Sequence, residues 1–204
     1  MGDRPASLAE IQDIPRGSLV LLAGPPGAGK SDFCHQVVLG ALTMDRPVIL
    51  VTTDRGPAEV LGHLEQLGLG QQPPGTLWFV DAFGETVGET RPGRADTVDA
   101  NCQDLNSITM AIAKVQQRIG RKDTLLAFDS LTSPYLFNQA AMFRFVRLGL
   151  ARFASEGSSV LALIDEGCAT EQDLAAMMSV TDGILEMETE ERYRKLAVVK
   201  HPTV

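Results

Sequence analysis

Cysteine is scarce in this chain, with three in 204 residues. Cys34, Cys102 and Cys168 lie far apart, with no Cys-x-x-Cys pair and no ligand spacing. This excludes a disulfide-built scaffold and a zinc module, and it points to the reduced thiols of a cytoplasmic protein. Positive charge is also short: 18 Lys and Arg against 26 Asp and Glu leave a net charge of −8. Such a balance gives no general footprint for nucleic acid or an anionic membrane. Aromatic residues make up 5% of the chain, and no stretch interleaves them with basic ones, so a stacking platform for single strands is not expected. No apolar run is long enough to cross a bilayer. The first residues carry acids and prolines without an apolar segment, so no signal peptide is expected. No internal repeat is present. The length and the 44% apolar content suit one domain over residues 1–204 with a sizeable core, residues 1–17 forming a short lead-in.

Against these absences stands one dense motif. Gly24-Pro25-Pro26-Gly27-Ala28-Gly29-Lys30-Ser31 reads G-x-x-x-x-G-K-S, the phosphate-binding P-loop. The preceding Ser18–Ala23 is an apolar buried strand. Phe33, Val37, Val38 and Leu42 then recur at helical spacing. The motif therefore joins a strand to a helix N-terminus, where free backbone N–H groups and the dipole end hold an anion. Lys30 would reach the β- and γ-phosphates of ATP, and the Ser31 hydroxyl would ligate Mg²⁺. Cys34 is close enough to this loop for its oxidation to matter, but an inert buried thiol is the simpler expectation.

The rest of the chain alternates strands with helices. Strands are expected at 47–52, 77–81, 124–129 and 159–164, with a closing pair at 183–187 and 195–200. Helices are expected from Pro57 to Gly68, after Asp104, over 139–155 and around 172–178. The pattern predicts an α/β fold, three layers around a mainly parallel sheet with a late strand pair. Residues 83–101 show no period and read as a long lid-like or disordered loop. Trp78 is expected in the core, and Phe143, Phe145 and Phe153 in the core or at a subunit interface. His35 and His63 read as lone packed or surface side chains.

Acids stand at the ends of three apolar strands. Asp129 is the candidate to complete the Mg²⁺ site, since ligands of open α/β sheets lie outside the carboxyl ends of the strands. Asp54 and the pair Asp165-Glu166 are candidates to orient or deprotonate an attacking water.

Taken together, these segments resemble the KaiC-like branch of the RecA superfamily of P-loop ATPases, over nearly the whole chain from Ile14 to Lys200. Ile14-Pro15-Arg16-Gly17-Ser18 resembles the family's lead into its first strand. Asp129-Ser130-Leu131-Thr132 is similar to its Walker B ending. Thr181-Asp182-Gly183-Ile184-Leu185 and Arg194–Lys200 look like its late hairpin. Val80-Asp81-Ala82-Phe83 resembles single-domain members described as implicated in signalling. The resemblance implies a RecA-like core, ATP and Mg²⁺ binding, and rings or filaments with ATP at subunit interfaces. Two positions depart from the pattern. Asp54-Arg55 stands where the family carries a catalytic Glu. Lys200 is present, but Pro202 takes the place of the Arg that, with the Lys, faces a neighbour's γ-phosphate. Lys200 is thus a candidate to act in trans.

Four functions follow. The first is a slow ATPase that couples nucleotide state to assembly or to regulation of a protein partner. The second is an ATP-binding scaffold without hydrolysis, favoured by Asp54-Arg55. The third is a small-molecule or nucleotide kinase, which the Gly-Pro-Pro-Gly-Ala-Gly-Lys-Ser loop also suits. The fourth is a recombination mediator, against which the acidic balance argues.

Overall fold

The computed structural model describes residues 13–88, 94–189, 194–200 and 202. Eight strands form one sheet in the order β4-β3-β2-β5-β6-β1-β7-β8. They are β1 Leu19–Gly24, β2 Val48–Thr52, β3 Leu77–Asp81, β4 Thr97–Asp99, β5 Leu125–Asp129, β6 Ser159–Asp165, β7 Gly183–Thr189 and β8 Arg194–Lys200. Every neighbouring pair is parallel except β7 and β8, which run antiparallel.

The central strands are apolar along their whole length because both faces of the sheet are covered. Leu19, Leu21 and Ala23 point to one face and pack with helix α3 (Leu105–Ile119) and the helical run after residue 139. Val20 and Leu22 point to the other face and pack with α1 (Lys30–Thr43) and α2 (Pro57–Gln66). The result is the expected three-layer arrangement. Asp104 caps α3 by accepting from the Asn106 amide, and Gly120 ends it with a positive φ of 68°.

Three elements differ from the sequence expectation. Within 83–101, strand β4 pairs Thr97, Val98 and Asp99 with Phe79, Val80 and Asp81 at the edge of the sheet. The stretch before it is tethered: Asp81 Oδ1 accepts from the Phe83 and Gly84 amides, and the Cys102 amide donates to Thr86 Oγ1. Residues 89–93 of the expected loop lie outside the described residues. A short helix, α4 (Thr132–Phe137), follows Asp129, with Pro134 in its first turn where the missing N–H costs nothing. The expected helix 139–155 holds, but as α5 (Gln139–Arg144), a π-helical turn over Phe145–Leu150 and α6 (Ala151–Ser155). Helix α7 (Glu171–Ser179) completes the list. Trp78 is half-buried at the sheet edge beneath Arg118, and Phe143 is exposed.

Candidate functional site

The site is built where β1, β2, β5 and β6 end together. Register sets Gly24 beside Asp165 and Thr52 beside Asp129. The chain after Gly24 turns through the P-loop into α1, with Gly27 and Gly29 at φ of 78° and 93°. Those angles are open to glycine at little cost and strained for other residues. Gly24 itself passes so close to Met187 that a Cβ would collide with its carbonyl oxygen. The loop Gly24-Pro25-Pro26-Gly27-Ala28-Gly29-Lys30-Ser31 thus faces a cleft of about 420 Å³ that Lys30, Ser31, Asp54, Asp129, Asp165 and Arg194 help to line.

Lys30 is buried and its ammonium is fully engaged. It donates to the carbonyls of Gly24 (2.8 Å) and Pro25 (2.7 Å) and lies 2.7 Å from Asp165 Oδ1. Asp165 is held in turn by Thr132, whose hydroxyl donates to Asp165 Oδ2 at 3.2 Å and accepts from the Asp165 amide at 2.9 Å. Of the pair Asp165-Glu166, Asp165 therefore carries the contact with the loop. Glu166 reaches it only through its backbone amide, which donates to the Gly24 carbonyl.

Ser31 donates its hydroxyl proton to Asp129 Oδ1 at 3.0 Å. These are hard oxygen donors, and Mg²⁺ is commonly held by one or two carboxylates plus phosphate oxygens, so the pair fits that ion. Among the described residues no cluster of three or more His, Cys, Asp or Glu exists that would hold a metal by itself. Burial pushes the Asp129 carboxyl up to about 6, against the opposing pull of the Ser31 hydroxyl. The Asp129–Ser130 peptide bond is cis. The Ser130 amide donates to Thr53 Oγ1 at 2.9 Å, which fastens the end of β5 to the turn after β2.

Asp54 sits in a cage of hydroxyls. Ser130 Oγ donates to its Oδ2 at 3.1 Å, and Ser133 Oγ donates to its Oδ1. Arg55 lines the same cleft and lies 3.6 Å from Glu59. Lys200 lies elsewhere. It pairs with Ile184 near the start of β7, its ammonium bonded to the Thr181 carbonyl, whereas the P-loop meets the far end of that strand.

Two features were outside the sequence reading. Arg194, the first residue of β8, reaches over the P-loop and pairs with Asp32 Oδ2 at 3.0 Å. His35 and His63 are not lone: their rings meet at 5.1 Å between centroids, tilted by 57°, and His35 Nε2 lies 3.6 Å from Asp129 Oδ2. His35 is 1% exposed, and neither ring nitrogen has a hydrogen-bond partner. Burial, then the nearby His63, lowers it to about 4, so it is neutral at physiological pH. A local cue existed for the hydroxyl cage, since Ser130, Thr132 and Ser133 crowd the four residues after Asp129. Burial pushes the Cys34 thiol well up and the Cys102 thiol to about 12, which keeps both protonated at neutral pH.

A mainly parallel sheet, a P-loop at its carboxyl edge and a Ser–Asp pair beside the loop define a P-loop nucleotide-binding protein. The family model for the KaiC ATPase matches residues 7–201, and the chain belongs to that family of RecA-like, ATP-binding proteins. Relatives include a UPF0273 protein of Aeropyrum pernix, 27% identical over 183 residues, spanning 87% of this chain and 72% of the relative. A UPF0273 protein of Pyrococcus horikoshii is 28% identical over 184 residues, with the same two shares. The crystal structure of a KaiC-like protein from Pyrococcus horikoshii has the same fold, with a TM-score of 0.68 at 17% identity. It covers 92% of this chain and 81% of that one.

Proposed function

We propose that this chain, read as a single ATPase domain over 1–204, is a slow, Mg²⁺-dependent ATPase of the cytoplasm that couples its nucleotide state to self-assembly or to a protein partner in signalling. The observation that supports this best is the meeting of Lys30, the Ser31–Asp129 pair and Asp54 around one cleft. Lys30 and the loop amides would bind the phosphates, and Ser31 and Asp129 would hold the ion. Bound there, Mg²⁺ would neutralise phosphate charge. Asp54 is the residue best placed to orient an attacking water, and Asp165 and Thr132 position Lys30. Single-turnover hydrolysis of ATP by the unaltered chain and by Asp54→Ala tests this. Product that falls about 100-fold or more in the variant supports it.

A non-hydrolysing scaffold is the second reading. Asp54 has both oxygens taken by hydroxyls, so an attacking water would have to compete with Ser130 and Ser133 for them. Tight ATP binding without product over hours would favour it. Lys200, remote from its own P-loop, would act only on a nucleotide bound to a neighbouring copy, in a ring or filament.

A further inference from the structure

Strand β8 begins at the mouth of the phosphate cleft. Arg194 is its first residue, and its guanidinium lies so close over the Cα of Gly29 that any side chain at Gly29 would collide with it. It lines the same cleft as Gly27, Lys30 and Ser31. Its partner is Asp32, in the first turn of α1, at 3.0 Å.

Three facts make that pair exchangeable. Arg194 is 54% exposed and Asp32 is 44% exposed, and exposed pairs contribute little. Asp32 has other support: it stands in the first turn of α1, and a carboxylate is stabilised at a helix N-terminus. Lys30, the cation of the loop itself, is already satisfied by two carbonyls and Asp165, and Arg55, which also lines the cleft, has Glu59 3.6 Å away. A guanidinium meets phosphate through a planar fork of N–H donors, and charge-assisted bonds in a cleft are the stronger kind.

We propose that Arg194 is a nucleotide-binding residue, which exchanges the Asp32 carboxylate for a phosphate of the bound nucleoside triphosphate. The nucleotide then holds the start of β8 and, through it, the β7–β8 hairpin whose far end carries Lys200. The inference rests on the nucleotide reading of the cleft.

Calorimetric titration of the full chain with MgATP tests it, using Arg194→Ala, Arg194→Lys, Asp32→Asn and Lys30→Ala. The expected result is at least about tenfold weaker binding in Arg194→Ala with an unchanged melting temperature. Lysine, which keeps the charge without the fork, should restore only part of the loss. Asp32→Asn should bind MgATP at least as tightly as the unaltered chain, because Arg194 is already released. Equal affinity in Arg194→Ala and the unaltered chain, with binding lost in Lys30→Ala, would overturn the role of Arg194 and leave the nucleotide site standing. Tenfold weaker binding in Asp32→Asn would overturn the exchange. No binding by the unaltered chain would overturn the cleft reading and this inference with it.

Discussion

Thr53 shows how one hydroxyl fixes the geometry of a phosphate site. Its Oγ1 is buried, accepts from the Ser130 amide and donates to the Ser130 carbonyl, both at 2.9 Å. Thr53→Val keeps the shape and strands both backbone groups. It should cost about 1–3 kcal/mol in chemical denaturation. A loss below about 0.5 kcal/mol would show that the tie between β2 and β5 is dispensable. His35 gives a second prediction at this scale. Held neutral down to about 4, it contributes stability that is present above its unfolded value near 6.5 and lost as pH falls towards 4. His35→Leu should remove that acid-limb loss, a difference on the order of 3 kcal/mol between pH 6.5 and 4. Parallel pH–stability curves for the two proteins would contradict it.

Among the elements, Phe145 joins the π-helical turn to the sheet. It meets Phe128 edge-on at 5.9 Å and borders a cavity of about 510 Å³ on the face opposite α1. Phe145→Ala should destabilise by about 3 kcal/mol and leave ATP affinity unchanged, because it touches nothing in the nucleotide cleft. A changed affinity would mean that the two faces of the sheet are coupled. The same elements show what a sequence displays. β1, the P-loop and β5 with Asp129 were legible because each is an apolar run or a motif bounded by punctuating residues. β4 was not, since three residues are too few to show a period. Proline in Thr132-Ser133-Pro134 hid α4, although the first turn tolerates it. The π-helical turn leaves no mark in a 3.6-residue pattern. Arg194 was visible only as a strand residue, because hairpin register decides that it faces the P-loop. The contact of His35 with His63 is likewise a tertiary fact.

The whole molecule presents a covered sheet with its chemistry at one edge and Lys200 towards the other. None of its described helices is long and apolar enough to cross a membrane. If Lys200 acts on a neighbour, Lys200→Ala should keep ATP binding and lose hydrolysis. Unimpaired assembly and hydrolysis in that variant would contradict a role in trans. The proposed nucleotide switch has Asp54 at its centre. Its most direct test is single-turnover hydrolysis of radiolabelled ATP with Mg²⁺, with native mass read on the same sample. A slow ATPase switch gives slow product formation, lost in Asp54→Ala, and a rise in mass on ATP binding. Bound ATP with no product over hours and no change in mass would contradict it.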